Sequence, residues 1–180
     1  MIPLRDTIQS RNYPVVRNAL IAVNILVFLW ELFRGPDLQR TFTLYGIVPV
    51  RYSNPEIALH FSFFEQIVPF FTSIFLHGGF FHLLGNMWFL YIFGDNVEDR
   101  LGSFRFFVFY LLSGFAAGLI HLVSNWNSQL PTIGASGAIA GVMGAYFLFY
   151  PRARILTMVP IFFFPFFFEL PAFFFLGYWI

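Results

Sequence analysis

Apolar residues in this chain fall into long blocks separated by shorter polar stretches rich in glycine and proline, and the length of each block limits what it can form. A helix needs about 20 mostly apolar residues to cross roughly 30 Å of hydrocarbon. By that measure five spanning helices are predicted, and the chain reads as an all-α polytopic membrane protein. They run from Val15 to Phe33, Phe80 to Phe93 (with Ile74 to Gly79 leading in), Phe104 to Val123, Ile133 to Tyr150 and Ile155 to Ile180. The connection from Arg34 to Gly79 is too polar to cross at Gly35-Pro36-Asp37 and at Arg51-Tyr52-Ser53-Asn54-Pro55. Its aromatic stretches, Leu59 to Phe64 and Phe70-Phe71, predict a structured piece lying at the interface. The turns after the second and fourth blocks are brief, which predicts antiparallel neighbours. No internal repeat is visible, so the repeat architecture of many transporters has no support.

Composition agrees with this pattern. Hydrophobic residues make up 58% of the 180 and charged residues 11%, against about 25% charged in an ordinary soluble domain. Mean hydropathy is +0.72. The net charge is +1 and every positive side chain is an arginine, so nucleic acid is not an expected partner. There is no cysteine, which removes disulfides, thiolate zinc sites and iron–sulfur clusters from consideration. Residues 1–14 are polar and read as a cytoplasmic tail without a cleavable signal, leaving the first apolar block as an anchor. Arg5, Arg11, Arg17, Arg100, Arg105, Arg152 and Arg154 all fall on one side of the predicted bundle, and the positive-inside bias makes that side cytoplasmic.

The fourth block carries Gly134, Gly137, Gly141 and Gly144 at three- and four-residue steps, a groove along one helical face where a neighbouring backbone can approach. Gly114-x-x-x-Gly118 on the third block is the expected matching surface. Ser136 sits within the glycines. A serine in such a helix usually packs or hydrogen-bonds a neighbour. Pro131 and Thr132, however, put the helix start just ahead of it, where backbone N–H groups lack intrahelical partners and the dipole favours negative charge. An oxyanion formed beside Ser136 would meet donors there.

His82 and Asn86 are four residues apart, share one face of the second block, and are polar among Phe, Leu, Met and Trp. Facing lipid would be costly, so both are expected to point into the bundle. Their bland role is an interhelical hydrogen bond. Beside a serine nucleophile the same pair can donate to a developing oxyanion. His77, next to Gly78-Gly79, is expected to steady that loop, and His121 to cap its helix or line a cavity.

Phe75-Leu76-His77-Gly78-Gly79, His82-x-x-x-Asn86-Met87, the run from Phe93 to Gly102, and Gly134-Ala135-Ser136-Gly137 stand in an order and spacing that resembles the rhomboid family of intramembrane serine proteases. The resemblance covers about Phe71 to Tyr150. It implies a rhomboid-like helical bundle with a water-filled cavity, in which Ser136 attacks a peptide bond while His82, Asn86 and the Ser136 N–H bind the oxyanion. Gly134, Gly137 and His77 would support them. Substrates of such enzymes are single-span membrane proteins, and no cofactor or metal is implied. The family's general base is a histidine on a sixth helix, and no histidine follows Ser136 here, so the base is expected on a helix beyond Ile180. Residues 15–180 then form a membrane domain incomplete at its C-terminus, with about five helices present of an expected six or more. The family's frequent Trp-Arg pair would fall near Val68-Pro69, which leaves Glu98 in need of another partner.

The fifth block carries three Phe triplets broken by Pro165 and Pro171, which predict a bent helix, with Glu169 unplaced inside it. Other intramembrane chemistries fit poorly. No His-Glu-x-x-His occurs, and Asp95 and Asp99 lie in one turn rather than on two spans. The alternative to an endopeptidase is a catalytically inactive rhomboid-like protein that binds membrane helices. A bacterial-type plasma membrane is the expected location.

Overall fold

The computed structural model describes residues 1–162 and 164–179. Four helices build the bundle: α1 Val15–Leu32, α7 Phe80–Leu101, α8 Ser103–Ser124 and α9 Ser136–Phe149. The connection from α1 to α7 folds into five short helices, α2 Leu38–Tyr45, α3 Val50–Ser53, α4 Pro55–Ala58, α5 Phe63–Ile67 and α6 Pro69–Thr72. Caps account for several of their ends. The Asn54 side chain accepts from the Glu56 and Ile57 N–H groups, and Ser62 with Glu65 makes a reciprocal capping box at the start of α5.

Among the described residues α1 and α8 are long and apolar enough to cross a membrane. Phe63–Phe75 and Phe80–Leu101 pass the same test together as a pair bent by 80°. At 14 residues α9 is shorter. The chain is a helical polytopic membrane protein. Gly102, at φ 79°, is the single residue between α7 and α8, and its left-handed backbone folds them into antiparallel neighbours. The core runs through Leu90, Phe93 and Val97 of α7, Phe106 and Tyr110 of α8, and Val142 and Tyr146 of α9.

The predicted fifth helix is not there. Arg154–Ile161 (β2) and Phe164–Pro171 (β3) form an antiparallel hairpin, extended to three strands by Ile2–Asp6 (β1) along β2. A helix, α10, begins only at Ala172 and runs to Trp179; Phe163 and Ile180, also within the predicted span, lie outside the described residues. Three prolines in twelve positions explain the difference, because each removes an N–H and clashes with the preceding helical turn, while the Ile and Phe residues between them, with Thr157 and Val159 just ahead, suit a pleated strand. Pro160 pairs with Pro165 next to the hairpin tip, where lost donors cost least. Glu169 is exposed on β3 and pairs with Arg154 of β2 at 3.4 Å. The turn after the fourth block, residues 151–153, is brief as expected, but it leads into this hairpin and not into an antiparallel helix. Phe175 of α10 still reaches the core, its ring 6.3 Å from that of Phe93.

The N-terminal residues are likewise ordered against the bundle. Trp88 Nε1 donates to the Pro3 carbonyl at 2.7 Å, Asn96 Nδ2 to Asp6 at 2.8 Å, and Ser10 Oγ to Asp95 at 3.2 Å. Burial, with the Asp95 carboxylate nearby, pushes the Asp6 carboxyl up to about 6, and Tyr146 donates to it. Glu98 has its partner: its carboxylate accepts the Val16 N–H at 2.9 Å, the Arg17 N–H at 2.7 Å and the Ser103 hydroxyl at 2.6 Å. It thereby supplies the charged acceptor that the open end of α1 needs.

The glycine groove packs differently from expectation. A methyl on Gly137 would collide with Ala117, and one on Gly141 would lie 2.5 Å from Ser113 Cβ, so α9 fits against Ser113 and Ala117 of α8. Gly118 instead faces Ile47 and Phe70, and Gly114 faces Ile74 while only touching Ala138 of α9 at ordinary contact distance. Gly141→Val is expected to lower stability by about 1–3 kcal/mol in thermal unfolding. Gly144→Ala, with nothing within 4 Å, should leave it unchanged or slightly raised.

Candidate active site

Ser136 is the first residue of α9, and the segment leading to it is pinned by three backbone hydrogen bonds. Ile47 and Thr132 exchange backbone hydrogen bonds at 3.1 and 2.8 Å, and the Gly134 N–H donates to the Ser73 carbonyl at 2.8 Å. The first bond of the helix runs from the Ile139 N–H to the Ala135 carbonyl at 2.9 Å, so the N–H groups of Ser136, Gly137 and Ala138 precede it at the positive end of the helix. Ala135 is fully buried while Ser136 is exposed.

Gly134 explains why glycine stands two residues ahead. Its φ is 121°, a region that side chains rarely enter. A methyl there would also lie 2.6 Å from both Cε1 and Nε2 of His82 and 3.8 Å from Asn86 Nδ2. The two polar residues of α7 thus meet the backbone just before Ser136. The ring of His82 is oriented by its Nδ1, which lies 2.7 Å from the His77 carbonyl. A carbonyl only accepts, so Nδ1 carries the proton. In the neutral ring Nε2 is then a lone pair; in the imidazolium it is a second donor.

Asn86 is 8% exposed, and its Nδ2 is buried with no hydrogen-bond partner among the described residues. Leaving such a donor unpaired costs about 1–3 kcal/mol. His82 is less enclosed than expected: it remains exposed at the mouth, and of the pair only Asn86 is buried.

Two cavities meet at Ser136. One, of about 180 Å³, is lined by Gly85, Asn86, Phe89 and Met143 between α7 and α9. The other, of about 200 Å³, lies on the α8 side and presents Ser73, His121 and Thr132. His121 is fixed through Nε2, 2.5 Å from the Thr132 hydroxyl. His77 is 1% exposed, with Nδ1 3.2 Å from the Phe75 carbonyl and its ring edge-on to His82 at 5.2 Å.

Two contributors escaped the sequence reading. The carbonyl of Ser73 holds Gly134, and Glu31 of α1 accepts the N–H groups of His77 and Gly78. Neither residue carries a local signal, because both act on backbone groups far away in sequence.

Comparison with known proteins gives the family. A family model described as Rhomboid domain matches residues 65–180. Rhomboid protein 1, mitochondrial, of Saccharomyces cerevisiae is 33% identical over 149 residues, which cover 78% of this chain and 38% of that protein. The human Presenilin-associated rhomboid-like protein, mitochondrial, is 33% identical over 146 residues, covering 79% and 35%. RHOMBOID-like protein 1 of Arabidopsis thaliana is 43% identical over 81 residues, covering 45% and 20%. The chain spans little more than a third of the length of the first two relatives. Their names say mitochondrial, which runs against the expected bacterial-type plasma membrane.

Proposed function

The chain belongs to the rhomboid family, and from the geometry around Ser136 we propose that the whole protein is a serine endopeptidase acting on single-span membrane proteins. One observation carries this reading. A buried carboxamide donor without a partner among the described residues and an oriented imidazole lie against the glycine two residues before a serine at a helix N-terminus.

In this mechanism the Ser136 hydroxyl attacks the scissile carbonyl carbon. Its proton passes to a general base, which the proposal assigns to a histidine outside these 180 residues. The carbonyl oxygen becomes an oxyanion, bound by Asn86 Nδ2 and the Ser136 backbone N–H, with His82 adding a second side-chain donor when its ring is an imidazolium. Donors fixed before reaction are worth more here than in water, because lipid and protein lower the local dielectric. The intermediate then collapses, the C–N bond breaks, and the base returns its proton to the leaving amine. Water repeats the sequence on the acyl-serine. No metal or cofactor enters any step.

The cavity between α7 and α9, lined by Gly85 and Phe89, offers substrate a route to Ser136. Arg100 and Arg105, which flank Gly102, and the arginines after α9 set the membrane orientation in this proposal, with the N-terminal tail on the same side.

The test is cleavage of a single-span substrate by the full-length protein in proteoliposomes. Ser136→Ala should abolish it while leaving substrate binding intact. Undiminished cleavage by Ser136→Ala overturns the proposal, and binding without cleavage by the unaltered protein would favour a helix-binding role.

A further inference from the structure

Glu31 lies in the last turn of α1, 1% exposed, and both of its carboxylate oxygens serve another segment of the chain. One accepts the His77 N–H at 2.9 Å and the other the Gly78 N–H at 3.0 Å. Two acceptors on one carboxyl are what the ionised form provides. A buried anion at that depth is costly, and an apolar side chain of the same size would fill the volume at lower cost, so the charge is held for what it binds.

The turn that Glu31 grips is short of other restraints. It precedes the N-cap Gly79 and so takes no part in the hydrogen bonding of α7. Gly78 has φ 65°, and a methyl there would lie 3.1 Å from Ile133, so the turn is seated directly on the approach to Ser136. The carbonyl of His77 in this turn is the group that bonds His82 Nδ1 at 2.7 Å. If the turn rotated, that carbonyl would swing away and the imidazole would be free to change tautomer and to turn its Cε1–Nε2 edge off Gly134.

We infer that Glu31 is a positioning residue: its carboxylate, reaching from α1, locks the His77–Gly78 turn so that the His77 carbonyl holds His82 by its Nδ1–H and the ring, as the imidazolium, aims its Nε2–H at the reacting oxygen. The inference rests on the serine-protease reading, in which His82 faces the oxyanion. Glu31 touches no reacting atom. It acts through two backbone N–H groups, one carbonyl and one ring.

Glu31→Gln tests this in the full-length protein. The amide keeps the size but offers one acceptor, and its NH2 opposes the second N–H. With imidazole nitrogens labelled with nitrogen-15, and His82 assigned by its loss in His82→Gln, the unaltered protein should give a single Nδ1-protonated tautomer in the neutral ring. Glu31→Gln should give a mixture of tautomers. Its kcat should fall by at least about tenfold, short of the about 100- to 1000-fold for losing a donor outright, with KM changed less than about twofold.

Should Glu31→Gln fail to fold, Glu31→Asp carries the same measurements, since its shorter carboxylate reaches only one of the two N–H groups. An unchanged single tautomer, or unchanged kcat despite a mixture, overturns the inference. The tautomer readout needs no turnover. Failure of the protease reading would instead appear as Ser136→Ala cleaving like the unaltered protein.

Discussion

Asn86→Ala is expected to lower turnover of the full-length protein by about 100- to 1000-fold, the range for losing one oxyanion donor. Stability should change by no more than about 1 kcal/mol. The two effects separate because of what the side chain does not do. Its Nδ2 is buried without a partner among the described residues, so truncation breaks no bond seen at that atom and removes a polar group whose burial was itself unfavourable. Lost packing in α7 offsets part of that gain. A residue kept for structure would show the opposite pattern, with a large drop in thermal stability and a turnover that follows only the folded fraction. Steady-state cleavage and thermal unfolding on the same preparation distinguish the two.

Gly134→Ala should damage both properties. At φ 121° an alanine is strained by about 1–3 kcal/mol, and its methyl would lie 2.6 Å from the His82 ring. The ring must then leave the position fixed by the His77 carbonyl, so catalysis should fall by about 100-fold or more as oxyanion contacts are lost. Pairing it with His82→Ala resolves the two causes. The double variant should recover the part of the stability that comes from the collision but not the backbone strain, and none of the activity. Full recovery of activity in the double variant would mean that the ring is not needed at this position.

Much of the bundle was legible because lipid leaves a chain few choices. A span that must satisfy its own backbone becomes a helix, and the hydropathy blocks locate α1, α8 and α9 to within about three residues, since block and helix ends coincide. The second helix was read too short. Its apolar run stops at Phe93, but α7 continues to Leu101, and Asp95, Asn96, Glu98 and Asp99 there bind the N-terminal segment and the start of α1. Each of those polar residues bonds a group more than 80 positions away, which no local window reveals.

The hairpin was missed for a related reason. A run of Phe, Ile and Val is equally apolar as helix or strand, and hydropathy cannot separate them. Pro160, Pro165 and Pro171 carried the distinguishing signal, outweighed by the length of the block. Its third strand comes from Ile2–Asp6, a pairing set by tertiary structure. At the site, Pro131 and Thr132 pointed to a helix start near Ser136, and the spacing of His82 and Asn86 put them on one face. Neither indicated that Gly134 would be the contact, nor that a carboxylate on α1 would fix the turn before α7.

The most direct measurement is covalent labelling of the full-length protein with a fluorophosphonate, followed by mapping of the modified peptide. A single adduct on Ser136, lost in Ser136→Ala and weakened in Asn86→Ala, is the predicted result. Equal labelling of the unaltered protein and Ser136→Ala, or an adduct on a different serine, would contradict the account.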